Sequence, residues 1–319
     1  EMQTVLVTGG CGLIGQHICS RLLKKGFAVI AADREEHDYN TGKLNYNFIQ
    51  CEPTDKNKYA EIFEQNKIDV LIHAACTVDN DLGPIVTDKE INESKQCDKF
   101  IYRYAMTENV EKVILLSTDQ VYEFPKTREP IREDNDLKPS TNYANLKMNA
   151  EKALFGEMQH HKTVMCCIAR YSPVYTLNFT DNLMAKITDP KDGTKFVYGK
   201  GQYGFQMCCV HNLVDFILCF VKNADDMKYA GVYNVSDKLL TTAADIISFM
   251  REHHSLGTVI QKSPGGALSK IKGLFGGGGK DEKTNYRYLD MSKLENNNML
   301  DNTKAAKLTS FRWDIHNTK

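Results

Sequence analysis

The chain lacks an excess of either charge: 40 lysines and arginines meet 41 aspartates and glutamates, a net charge of −1 over 319 residues. With no basic stripe along it, nucleic acid is excluded as a partner. No apolar run reaches the roughly 20 residues of a membrane-spanning helix, so no membrane association is expected. The ten cysteines form no C-x-x-C pair and lie scattered or adjacent, as in Cys166-Cys167 and Cys208-Cys209. That pattern excludes a zinc knuckle and points to buried thiols in a reducing, cytoplasmic compartment. His160-His161 has no thiol or carboxylate at ligand spacing, so no metal is expected. No internal repeat is present, and with the first strand so near the start of this sequence no signal peptide is expected.

What is present is concentrated at the start. Thr8-Gly9-Gly10-Cys11-Gly12-Leu13-Ile14-Gly15 follows the apolar run Val5-Leu6-Val7 and precedes an amphipathic stretch over 16–25. These read as strand, tight turn and helix. Glycines 9, 12 and 15 allow a sharp turn, close approach of a pyrophosphate, and a helix packed against the strand. The helix start, with Leu13 and Ile14, offers N–H groups to the anion. A second buried strand over 27–32 ends in Asp33, eighteen residues after Gly15. A carboxylate there accepts hydrogen bonds from the adenosine ribose and repels a 2′-phosphate. Arg34 beside it can pair with such a phosphate, so NAD is favoured over NADP without being secured. The alternative for Asp33 is a plain polar strand end.

Strand-like runs at 48–51, 70–73, 113–116 and 165–170 alternate with helical patterns at 55–65, 88–109 and 142–158. The alternation predicts an α/β fold, a doubly wound parallel sheet of the Rossmann kind with ligands at strand C-terminal ends. Beyond about residue 175 the rhythm loosens, with helices at 181–187, 213–222 and 243–253 and strands at 195–198 and 232–235. The expected division is a dinucleotide-binding domain over 1–175 and a smaller C-terminal α/β substrate lobe over 176–319, with some exchange of chain between them. Residues 264–280 are glycine-dense and read as a surface loop, or as a substrate lid.

The chemistry-bearing residues follow the fifth strand, in Ser117-Thr118-Asp119-Gln120-Val121-Tyr122 and in Tyr143-Ala144-Asn145-Leu146-Lys147. Tyr143 and Lys147, four apart, share one helix face. An ammonium near a phenol favours the phenolate, which lets tyrosine serve as acid or base near neutral pH, and the lysine can also hold the nicotinamide ribose. A Thr118 hydroxyl can share the substrate oxygen with Tyr143. Asp119 either caps its loop or positions substrate.

On these motifs the chain resembles an extended short-chain dehydrogenase/reductase of the NAD-dependent sugar-nucleotide epimerase/dehydratase group, over essentially its whole length. His73-Ala74-Ala75 resembles the group's segment bordering the cofactor, and Glu52 falls where it has an aspartate near the adenine. Arg170-Tyr171-Ser172-Pro173-Val174-Tyr175 resembles its R-Y-x-N-V-Y-G run. The resemblance implies a catalytic triad of Thr118, Tyr143 and Lys147, cofactor contacts at Ala74 and Ala75, and Arg170 and Arg287 toward substrate. It also implies a homodimer on the helices at 88–109 and 142–158. There Ile91, Phe100, Ile101, Tyr104 and Ala105 either form a second apolar stripe or face the subunit's own core.

Departures matter as well. Gln120 stands where the 4,6-dehydratases carry glutamate, and an amide is no base for water elimination. Phe205 and Pro173 replace the group's diphosphate-binding arginine and an asparagine, which weakens the case for a nucleotide-linked substrate. The expected function is NAD-dependent epimerisation of a sugar or nucleotide sugar through a transient keto form. The alternatives are net reduction or oxidation of a keto-sugar, as in dTDP-4-dehydrorhamnose reductases, or of another small carbonyl compound, and a non-catalytic, cofactor-binding regulatory protein.

Overall fold

The computed structural model describes residues 1–76, 87–124, 129–263 and 299–319. The first half alternates as its apolar runs dictate: β1 (Thr4–Thr8), α1 (Leu13–Lys24), β2 (Ala28–Asp33), β3 (Tyr46–Gln50), α2 (Lys56–Gln65), β4 (Val70–His73), α3 (Asp88–Thr107), β5 (Lys112–Leu116), α4 (Asn142–Met158) and β6 (Met165–Tyr171). Strands β1, β4 and β5 are near-continuous apolar runs because both faces of their sheet are covered. Side chains set the helix starts. Asp55 accepts the Lys58 N–H, Thr87 and Glu90 cap each other reciprocally, and Thr141 accepts the Ala144 N–H. Helix α3 stops at Thr107, short of the expected 109, where Asn109 turns the chain at φ +60°.

The second half adds β7 (Val174–Tyr175), α5 (Asp181–Lys186), β8 (Lys195–Tyr198), β9 (Gly204–Phe205), β10 (Cys208–Cys209), α6 (Val210–Asn223), β11 (Gly231–Val235), β12 (Thr241–Thr242), α7 (Ala243–His253) and β13 (Val259–Lys262). Seven strands make one parallel sheet in the order β11-β6-β5-β4-β1-β2-β3. This is the doubly wound Rossmann arrangement, with its reversal of direction between β1 and β4. Ile18, Leu22, Leu213 and Phe216 bury one face under α1 and α6, while Tyr59, Ile62, Ile101 and Leu154 bury the other under α2, α3 and α4. Helix α6 and strand β11, from beyond residue 175, complete the sheet layer. A separate cluster of Leu183, Phe205, Met207, Ile246 and Phe249 forms the core of the remaining C-terminal segments.

Part of the apolar stripe of α3 faces the subunit's own core. Ile101 and Ala105 are fully buried, and Tyr104 stacks between Phe100 and Phe63, at 5.6 and 5.7 Å between ring centres. Helix α2 supplies Phe63, while Ile91, Phe100 and Tyr104 themselves stay half-buried in the single chain. Among the described residues, no helix is long and apolar enough to cross a membrane.

Candidate active site

The C-terminal ends of β1, β2, β4 and β5 meet where the sheet order reverses. Gly9 adopts φ +65°, and a Cβ on Gly15 would lie 2.1 Å from the Gly9 carbonyl oxygen, so α1 can start against the turn only with glycine there. Gly12 is the N-cap of α1, and no side chain caps the first turn. Its amides, with those of Leu13 and Ile14 in front, face the end of the sheet as a cradle suited to a diphosphate. Asp33, at the end of β2, accepts the N–H groups of Cys11 at 2.9 Å and Arg34 at 2.8 Å. The Arg34 guanidinium turns to Glu52, with Nε to Oε2 at 3.0 Å in an exposed pair.

Ala74 and Ala75 both donate their N–H groups to Thr8 Oγ1 at 3.1 Å. With its oxygen so occupied, Thr8 gives its proton to His73 Nδ1 at 2.8 Å, and His73 Nε2–H then donates to Asp98 at 2.7 Å. One tautomer satisfies every partner. This buried chain links β1, β4 and α3, and sequence spacing carries no trace of it. Beside it lies a small cavity bounded by His73, Ala75, Ser94, Asp98, Leu115 and Lys147.

Thr118 directly follows β5, is 3% exposed, and accepts the Gln120 N–H at 3.3 Å, capping a single helical turn over Asp119–Val121. Asp119 is buried within that turn, which packs on α4. Gln120 Nε2 is buried without a hydrogen-bond partner among the described residues. Tyr143 opens α4, and Lys147 stands one turn on, its Nζ 5.8 Å from the centre of the Tyr143 ring and donating to the Leu116 carbonyl at 2.9 Å. Tyr143 also interacts with Tyr171, whose phenol is pushed upward by burial and drawn back by the hydrogen bond to Tyr143. Thr118, Asp119, Tyr143 and Lys147 thus gather at the end of β5.

Arg170 does not join them. Its side chain is 4% exposed and forks onto Glu151, Nε to Oε1 at 3.0 Å and Nη2 to Oε2 at 2.7 Å. Nη1 donates to the Glu133 carbonyl at 3.2 Å, and the guanidinium lies 4.8 Å from the centre of the Tyr122 ring. The substrate contact expected of Arg170 is therefore corrected to an internal one, because a buried guanidinium takes the nearest carboxylate. Arg287 lies outside the described residues, as do residues 264–280. Phe205 is buried, and Lys186 of α5 brings its ammonium 5.6 Å from the centre of that ring. Among the described residues no group of His, Cys, Asp and Glu has the arrangement of a metal site.

Residues 5–236 match the sequence family described as "NAD dependent epimerase/dehydratase family". The chain is 25% identical to dTDP-D-glucose 4,6-dehydratase of Bos taurus over 267 residues, 79% of this chain and 74% of the relative. It is 29% identical to UDP-glucose 4-epimerase of Bacillus subtilis over 161 residues, 47% of this chain and 46% of the relative. Among solved structures, UDP-glucuronic acid 4-epimerase from Bacillus cereus, in complex with UDP-glucuronic acid and NAD, superposes with a TM-score of 0.72. That match has 17% identity and covers 98% of this chain and 95% of that one, a likeness of fold.

Proposed function

Because the chain belongs to the NAD dependent epimerase/dehydratase family, a family of enzymes, we propose that it epimerises a nucleotide sugar through a transient keto form of the sugar. NAD, when bound, supplies a hydride acceptor and donor. The glycine turn with Leu13 and Ile14 suits the pyrophosphate, Asp33 the adenosine ribose, Ala74 and Ala75 the border of the site, and Lys147 the nicotinamide ribose. Arg34 already has a carboxylate partner in Glu52, which favours NAD over NADP.

Tyr143 takes the proton of the sugar hydroxyl and later returns it, while Thr118 holds the same oxygen. Lys147, held by the Leu116 carbonyl, presents positive charge to the phenol. The observation that carries this reading is the convergence of Thr118, Tyr143 and Lys147 on the end of β5. Gln120 supports epimerisation over dehydration, since an amide is no base for elimination. Lys186 brings its ammonium above Phe205, which stands where the group has its diphosphate-binding arginine.

A second reading, net reduction of a small carbonyl compound that carries no diphosphate, is favoured by Phe205, which stands in place of a diphosphate contact. Incubation with a panel of UDP- and dTDP-sugars and small carbonyl compounds, followed by proton NMR and NADH absorbance, separates the outcomes. An epimerase inverts one carbon with no net change in NADH, and a reductase consumes NADH in proportion to product. Loss of water from the sugar, or no conversion across the panel, defeats the proposal.

A further inference from the structure

Glu151 follows Lys147 by four residues and Tyr143 by eight, so the three share one face of α4. Its side chain is 1% exposed yet bonds to groups after β5 and on β6. Oε1 accepts the Ser117 hydroxyl at 2.5 Å, and Arg170 of β6 forks onto both carboxylate oxygens. Ser117 immediately precedes Thr118, and Leu116 before it accepts from Lys147 at 2.9 Å. Helix α4 is thereby fastened to the end of β5 at two successive residues, directly before the hydroxyl that would share the substrate oxygen.

Stability alone does not explain a buried carboxylate and guanidinium, because a well-packed apolar pair of similar volume often holds a fold as well or better. What the charged pair adds is direction. Apolar burial is non-directional and tolerates small shifts of a helix on a sheet, whereas a carboxylate held by three donors defines both the axial position and the rotation of α4. Misplacing reacting groups by about 1 Å can lower a rate on the order of a hundredfold.

We infer that Glu151 is a positioning residue, which through Ser117 and Arg170 keeps Tyr143 and Lys147 in register with Thr118; the inference rests on the roles proposed for those three. Ser117→Ala tests it while leaving the Glu151–Arg170 pair intact, and Glu151→Gln removes the charge with little change of shape. In both variants turnover on the sugar identified above falls about tenfold or more with KM little changed. The titration of Tyr143, read as tyrosinate absorbance in each protein minus that in its Tyr143→Phe counterpart, moves to higher pH as Lys147 loses its seat.

An unchanged Tyr143 titration in Ser117→Ala overturns the inference, whatever happens to the melting temperature and even if Glu151→Gln fails to fold. This titration needs no substrate. Absence of conversion by the wild-type protein therefore counts against the proposed activity, and an unmoved titration counts against Glu151.

Discussion

Asp33 Oδ2 accepts the backbone N–H of Cys11 at 2.9 Å, so the carboxylate assigned to the cofactor ribose also braces the glycine turn. The two jobs can be separated. Asparagine retains an oxygen for the Cys11 N–H but loses the charge and the acceptor of the Arg34 N–H, whereas alanine loses both oxygens.

Calorimetric titration of the wild-type protein is expected to show NAD bound at least several-fold more tightly than NADP. Asp33→Asn narrows that gap while keeping most NAD affinity, and Asp33→Ala weakens both cofactors. A wild-type preference for NADP removes the assignment.

Tyr143→Phe deletes one hydroxyl and is expected to lower turnover by roughly a hundredfold or more, with cofactor affinity retained. Lys147→Met is expected to weaken cofactor binding as well, and to disturb α4, since its Nζ bond to the Leu116 carbonyl is lost. Near-normal turnover in Tyr143→Phe on the true substrate points instead to a non-catalytic protein.

Asp237 carries a pH dependence. Burial raises its carboxyl from 3.8 to about 6, against the opposing pull of bonds from Tyr175, Cys209 and Asn212. The fold prefers the neutral form. Its stabilising contribution is therefore complete below the unfolded value and is lost as pH rises through about 6. A shift of about two units corresponds to roughly 3 kcal/mol. Urea unfolding between about pH 4 and 7 is expected to show that extra loss in the wild type relative to Asp237→Asn. Parallel pH profiles for the two proteins contradict it.

Phe100→Glu places a charge against Tyr104, which packs on Phe63, and is expected to reduce stability by about 1 to 3 kcal/mol without altering the mass read by light scattering. If the variant instead splits a dimer and melts like the wild type, the α3 stripe faces a second copy.

Local order was legible because its signals are local. The helix at Asn142–Met158, the strand at Val70–His73 and the helix at Ala243–His253 occupy the residues their periodicity predicts. The glycine turn, Asp33 and the Tyr143/Lys147 spacing were equally plain, since each depends on neighbours within a few turns of chain. Sheet completion was not. Strand β11 finds the open edge of β6, and α6 covers the face beside α1, choices set by which surface the first half leaves uncovered. Charge partners were hidden for the same reason. The resemblance aims Arg170 at substrate until Glu151, nineteen residues earlier, is seen beneath it. Likewise, His73 finds Asp98 at a separation of twenty-five residues. Periodicity records which face of an element is apolar, but the partner of a buried charge is decided only when distant segments share one low-dielectric interior.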